Sequence, residues 1–355
     1  MFVAKPRAPA NRVSTVPAPI GGLNARDSLA AMPPTDAVIM RNFWPQPYGC
    51  SVRKGYREHV TGLTTQVDSL AVWNGADGTS KMFGWAGADM YDVSSSGAVG
   101  AAIVTTLASA VWQTTSMSNS GGSFLICVNG TDDGIGYRAS GVYRIVAGDG
   151  IVADTWAGID PQDAIQLTVH QGRLWAVVND SAVGYYLPVG AIQGTFVAFD
   201  FGPLFSRGGY LQYLSTWTLD DGNGAEDHLV AVSSAGEVAV YAGTDPSDST
   251  KWALVGVYFA GAPVSGHRSF CKVGGDMVLI TQRGVVSLTN LLVSTKVNES
   301  RGILKSDKIQ LLISYAVESF SDLPGWQLIY AAPYNMLIVN VPSVLDEGNI
   351  QFASN

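Results

Sequence analysis

The densest group of side chains able to do chemistry in this 355-residue chain is Asp220, Asp221, Asn223, Glu226 and Asp227. Carboxylate and amide oxygens crowded into one short loop suit a hard cation such as Ca²⁺. Their spacing matches no standard calcium loop, and a solvated hairpin tip has the same make-up, so they stand only as weak metal candidates. Other chemistry is sparser. The four histidines, His59, His170, His228 and His267, are scattered; His267 and Cys271 would share a metal only on a helix, and that segment reads as a loop running into a strand. Gly134-Ile135-Gly136 lacks the later glycine of a phosphate-cradling loop. Gly261-Ala-Pro-Val-Ser265-Gly266 only approaches a nucleophile elbow. A glycosidase needs two carboxylates held roughly 5–9 Å apart, and few acids here fall inside strand-like runs. The expectation is a chain with no catalytic residue and no cofactor.

The elements that would have to position any such site repeat. Apolar runs begin at Lys81, Ser123, Arg173, His228, Asp276 and Asn335, with starts 42, 50, 55, 48 and 59 residues apart. Turn residues follow each run, and in most cases a second β-prone run follows those. A hairpin returning every 40–50 residues or so is the mark of a propeller or a similar array, because one hairpin cannot bury its own faces. The sequence therefore predicts an all-β, β-propeller-like array of about six hairpin or blade units with an N-terminal arm and one or two helices. The units are read as 67–93, 112–146, 164–201, 211–259, 269–292 and 326–352. Residues 1–60 form an N-terminal arm and docking segment, and residues 61–355 form the array. Within the first block a short helix is expected over Asp36–Phe43, stopped by Pro45, and a strand over Ser51–Val60. A helix capped by Ser306 is expected over Asp307–Phe320, its apolar face made by Ile309, Leu312, Ile313, Ala316, Val317 and Phe320. Unit six ends with the chain, so ring closure is expected to borrow a strand, from residues 51–60 or from a neighbouring subunit.

Composition restricts function further. Hydrophobic residues make up 47% of the chain and charged ones 14%, which predicts wide surfaces covered by partner subunits. The net charge of −8 argues against general nucleic-acid binding. The charge is uneven. Residues 1–60 hold eight Lys/Arg against three acids, and the remainder thirteen against twenty-six. This basic block, with Arg26, Arg41, Arg53, Lys54 and Arg57, and Asp27 among its acids, is a candidate interface. A basic arm lying on the protein's own acidic body is the plainer explanation. Three distant cysteines, Cys50, Cys127 and Cys271, read as buried free thiols from a reducing compartment. Gly97–Trp112 is too short and too polar for a membrane span.

The block at 19–63 carries a resemblance. Pro19-Ile-Gly-Gly-Leu-Asn24-Ala-Arg26-Asp27, then Asn42-Phe43-Trp44-Pro45, then Arg53-Lys-Gly55-Tyr56 resemble the opening of the short-tailed (podovirus-type) phage tail nozzle proteins, the tail tubular protein B-like group. Further matches are Tyr241–Tyr258, Gly274-Gly-Asp276-Met-Val-Leu-Ile280 with Ser306-Asp-Lys-Ile309, and Gly325-Trp326-Gln with Asn335–Pro342. They run in order over nearly the whole chain. Relatives in that group continue beyond the last match, whereas this sequence stops at Asn355. The stretch Thr244–Trp252 also resembles the Asp-box turns of sialidase propellers, with its Asp-to-Trp spacing one residue short.

The nozzle resemblance implies a non-enzymatic virion protein, assembled in the host bacterial cytoplasm. It implies a homo-hexameric ring below a portal-bound adaptor ring, with tail fibres or a needle nearby and genomic DNA passing without sequence recognition. Interface candidates are then Arg26, Asp27, Arg41, Arg53, Lys54, Arg57, Ile309 and Ile313. The alternative is a propeller that binds host-surface carbohydrate through the Asp220–Asp227 tip and the aromatics Tyr185, Tyr186 and Trp217, or one that cleaves it.

Overall fold

The six apolar runs are continuous rather than alternating because their strands are covered on both faces. In a computed structural model that describes residues 15–46, 48–152, 154–220, 225–293, 307–342 and 350–354, Phe124–Val128 is buried at every position. The units predicted from sequence are each an antiparallel sheet. Unit one has strands Val67–Asn74, Ser80–Ala86 and Asp89–Asp92. Unit two has Gln113–Asn119, Gly122–Val128, Gly134–Arg138 and Gly141–Ala147, and is extended by the short parallel strands Thr155–Ala157 and Gly194–Thr195. Unit three has Ala164–His170, Arg173–Val178, Val183–Tyr186 and Val197–Asp200. Unit four has Leu211–Asp220, Ala225–Ser233, Glu237–Gly243 and Trp252–Phe259. Unit five has Phe270–Val273, Asp276–Thr281 and Gly284–Ser287. Unit six has Gln327–Ala331, Met336–Val341 and Ile350–Ser354.

The units stack as a propeller requires. Each consecutive pair shares an apolar core. Trp73, Trp85 and Trp112 fill the first, and Ile126, Trp156 and Leu174 the second. Trp175, Leu214 and Leu229 fill the third, Trp217, Val230 and Leu279 the fourth, and Ile280, Val317 and Trp326 the fifth. The first strands of units one, three and four carry a bulge at the same place, one residue in, at Asp68, Ile165 and Gln212. A bulge bends the strand and re-aims its side chains. Beside it Ser69 Oγ accepts Trp112 N at 2.8 Å, Gln166 brackets the Leu214 backbone at 3.0 and 3.1 Å, and Gln212 Nε2 donates to Gly266 O at 3.0 Å. Six residues past each strand's start a ring ties the other end to the next unit. Trp73 Nε1 donates to Ser123 O, Trp217 Nε1 donates to Gly275 O, and His170 Nδ1 meets Thr216 Oγ1.

The seam differs. Among the described residues, units six and one share no apolar cluster, and no strand from residues 51–60 enters unit six. Val60–Thr61 instead pairs in parallel with Gly97–Ala98 beside unit one. Arg268, at the entrance to unit five, spans the gap. Its guanidinium donates to Ser69 Oγ at 2.8 Å, to Asp68 O at 3.4 Å and to Trp112 O, while its own carbonyl accepts Leu328 N of unit six at 3.0 Å. Among the described residues, then, this seam is bridged by one side chain and not by a strand from residues 51–60.

Three further expectations are corrected. Asp36–Phe43 is not a helix. Asp36–Ala37 pairs in parallel with Gly22–Leu23, and Phe43–Gln46 forms a hairpin with Gly49–Val52, because the Asp36 carboxylate is drawn into the network described below. The strand expected over 51–60 ends at Val52, and residues 53–59 are exposed and irregular. The helix α2 spans Gln310–Phe320 after a 3₁₀ turn at Asp307–Ile309, with no side-chain cap; Ser306 lies outside the described residues. A second helix, α1 at Leu288–Val293, was not anticipated; Asp276 Oδ1 accepts Thr289 N and Oγ1 in its first turn. No described helix is long and apolar enough to cross a membrane. The three cysteines are unpaired. Cys127 is buried, and burial pushes its thiol pKa up, whereas Cys50 and Cys271 are half-buried rather than fully buried as expected.

Candidate docking site

The N-terminal block is fastened to the array by side chains of the Gly-Gly-Leu-Asn-Ala-Arg-Asp segment. Asn24 is 1% exposed. Its Nδ2 donates to Asp27 Oδ2 at 2.9 Å and Asp36 Oδ2 at 2.7 Å, and its Oδ1 accepts the Arg26 and Asp27 backbone N–H groups. Lys308, just before α2, donates to Asp36 Oδ1 at 2.9 Å and Gly21 O at 3.1 Å, and its carbonyl accepts Ala25 N. The two glycines have separate reasons. A Cβ at Gly21 would strike the Asp36 carboxylate, and Gly22 sits at φ +81°, the left-handed region. Burial raises the Asp36 pKa, but the hydrogen bonds from Lys308 and Asn24 outweigh it and hold the group below its ordinary value. Arg26 pairs with Asp27 at 2.8 Å, and that bond and Asn24's lower the Asp27 pKa to about 2.

This arrangement leaves a cleft of about 750 Å³ between the N-terminal block and unit six. One wall is Phe43–Gln46; the other is Met336–Val339 with Gln351–Ala353; Ile309 and Ile313 lie at its base. Trp44 meets Tyr334 of unit six at 6.0 Å between ring centroids. Arg26, Arg53 and Lys308 line it, and among the described residues no Asp or Glu does.

Of the interface candidates, Arg26, Arg53, Ile309 and Ile313 therefore come together at one cleft. Asp27 sits beside it, bound to Arg26 and Asn24. Arg41, Lys54 and Arg57 are exposed outside it and make no ion pair among the described residues. Ile313 is fully buried in the core shared by unit five, α2 and unit six, so its packing is internal to the chain. Sequence reasoning missed Asn24, Asp36 and Lys308 as a network, although all three fall in or next to the quoted motifs. It missed Arg268 entirely, whose partners are mostly backbone carbonyls that leave no mark in sequence.

The acidic tip resolves less. Asp221 and Asn223 lie outside the described residues. Asp220 ends one strand, Glu226 is exposed, and Asp227 Oδ1 accepts Thr218 Oγ1 across the hairpin at 2.5 Å. No three His, Cys, Asp or Glu side chains gather as a metal site among the described residues. Two of the three aromatics expected to meet carbohydrate are buried. Trp217 is 2% exposed between units four and five, Tyr186 packs on Trp175, and Tyr185 is half-buried. The Asp-box-like stretch is a pair of turns, with Asp245 holding Ser247 and Arg173, Asp248 holding Thr250, and Trp252 buried. His267 Nδ1 is taken up by Gln212 O at 2.8 Å rather than by a metal partner.

No protein-family model matches the chain, and no curated protein is significantly similar to it. Among solved structures it is similar to crystal structures of BBS1N in complex with ARL6DN. One, soaked with mercury, gives a TM-score of 0.43 at 13% identity over 66% of this chain and 68% of that chain. Another, soaked with lead, gives 0.41 at 13% identity over 68% of each. At these TM-scores the likeness carries no argument. The propeller-like architecture rests on the six sheets and the five cores between them.

Proposed function

We propose that this β-propeller-like protein is a non-enzymatic structural component of a short-tailed phage tail. In this reading it is a nozzle subunit that forms a homo-hexameric ring, docks an adaptor ring through its N-terminal block, neighbours fibres or a needle, and conducts genomic DNA. The observation that carries the reading is the contact between Asp36 and Lys308. These residues lie in two of the segments that resemble nozzle proteins, and the buried Asp36 carboxylate takes both Lys308 and Asn24. The other matched residues also act as ties. Asp276 holds Ser287 and Thr289, and Trp326 Nε1 donates to Phe320 O at 2.8 Å. Motif residues spent on fastening suit an assembly part. The basic, exposed 53–57 segment supplies a surface for an acidic partner.

Mass photometry of the purified full chain, together with cryo-EM of the particles that carry it, tests this. A closed six-copy ring located in the tail is the expected result. A chain that stays monomeric at every concentration and is absent from tails would end the reading.

A further inference from the structure

The outer edge of unit six is treated unlike the others. In unit one the outer strand Asp89–Asp92 is covered by residues 103–107, through the Met90–Val104 bridge and Leu107 N donating to Ala88 O. Unit two is extended by two parallel strands. In unit five the edge strand Gly284–Ser287 lies against α2 and runs directly into α1. Units three and four reach a fourth strand. Unit six has three among the described residues. Ile350–Ser354 pairs with Met336–Val341 alone, and its other edge has no backbone partner among the described residues. An unpaired edge offers a row of N–H and C=O groups to an added strand.

The cleft runs along this strand, where Gln351, Phe352 and Ala353 form its wall. Its volume is of the size that holds a bound segment or ligand. Its lining includes the apolar Met336, Val339, Phe352, Ile309 and Ile313, and its charged lining among the described residues is entirely cationic. Arg26 and Lys308 are engaged by Asp27 and Asp36. Arg53 has no acidic partner among the described residues.

The geometry points to strand addition: an extended, alternately apolar and acidic segment of a partner protein lies in this cleft as the fourth strand of unit six. Its backbone pairs with Ile350–Ser354, its apolar side chains fall on the sheet face that carries Phe352 and lies towards Ile309, and a carboxylate meets Arg53. This deepens the docking reading above and rests on it for where the partner sits; the pairing itself stands or falls alone.

The test uses the full chain and a capped heptapeptide alternating Val and Glu, with binding read by fluorescence anisotropy. Controls are the same peptide with Lys for Glu, and the Glu peptide N-methylated on alternate residues so that one edge of its backbone cannot donate. The expected result is binding of the Glu peptide alone, weakened about tenfold or more by Arg53→Glu, a surface change that leaves the fold intact. Equal binding of Glu and Lys peptides, undiminished binding of the N-methylated peptide, or no binding of any would overturn the proposal. So would peptide binding that dissolves the protein's own oligomer, because the occupant would then be another copy. Oligomer mass measured without peptide reports separately on the nozzle reading.

Discussion

The guanidinium of Arg268 and the hydroxyl of Ser69 lie 2.8 Å apart although 199 residues separate them in sequence. The same hydroxyl accepts Trp112 N. One serine thus joins units one and two and receives the side chain that brings units five and six to them. Burial lowers the Arg268 pKa, opposed by the nearby Asp68 carboxylate, and the cation is held by three oxygen acceptors.

Arg268→Ala is expected to destabilise the protein by about 2–4 kcal/mol, since it removes charge-assisted bonds and strands their acceptors. Arg268→Lys recovers only part of this, because an ammonium cannot reach three acceptors in the fork geometry of a guanidinium. Denaturant midpoints measure the loss, and hydrogen exchange at the Trp112 amide locates it. Equal midpoints for wild type and Arg268→Ala would show that the seam is held by something else.

Lys308→Met should free residues 21–37 from α2 at a cost on the order of 2–3 kcal/mol, because it leaves the buried Asp36 carboxylate without its cation. Gly21→Ala should act in the same direction by forcing that carboxylate aside. Limited proteolysis is the readout, with new cleavage expected between Gly21 and Ala37. Adding Asp36→Asn to Lys308→Met should restore part of the protection.

The six units were legible because middle strands covered on both faces need uninterrupted apolar runs, as in Phe124–Val128 and Met277–Ile280. Helix α2 was legible through the spacing of Ile313, Ala316 and Val317, which are the residues it buries. Asp36–Phe43 misled because its helix-like start is overruled by the Asn24 and Lys308 bonds to Asp36, partners 12 and 272 residues away. Four of the eight interface candidates, chosen for their charge or helical spacing, line the cleft. The cleft itself had no signal, being a place where a strand is missing.

His170 makes stability depend on pH. Burial holds its pKa at about 4 against an ordinary 6.5, with the Trp252 ring edge-on at 5.7 Å. The unfolded chain takes up a proton that the folded one refuses, so this stability is complete above pH 6.5 and is lost as the pH falls towards 4, by up to about 3 kcal/mol. Burial lowers the His267 pKa as well, which works in the same direction. Denaturation midpoints against pH should show the slope, and His170→Gln should flatten it. A slope unchanged by that substitution would rule His170 out as its source.

Ile313→Ala should cost about 2–5 kcal/mol by opening a cavity beside Val317 and Trp326. The loss should not change with protein concentration, because the side chain is covered within one chain. Leu311→Ser and Tyr315→Ser, on the exposed side of α2, should leave the monomer's stability within about 0.5 kcal/mol of wild type. A concentration-dependent loss for Ile313→Ala would return that residue to the interface.

The antiparallel strands of every unit follow one another in the chain, with one short excursion, Gly194–Thr195, which leaves unit three to pair with unit two, and this has a consequence for biogenesis. The antiparallel part of each sheet can close as soon as the ribosome has delivered it, without waiting for a distant partner and without the entropy loss of a long loop. Arg268 is translated before unit six, so the long-range contact with Ser69 is available while the last sheet is still being made. Unit six then docks on a preformed surface whose Arg268 carbonyl is already in place to receive Leu328. A propeller sealed by a shared strand has to hold its first segment open until the end of synthesis; this one is free to mature from front to back.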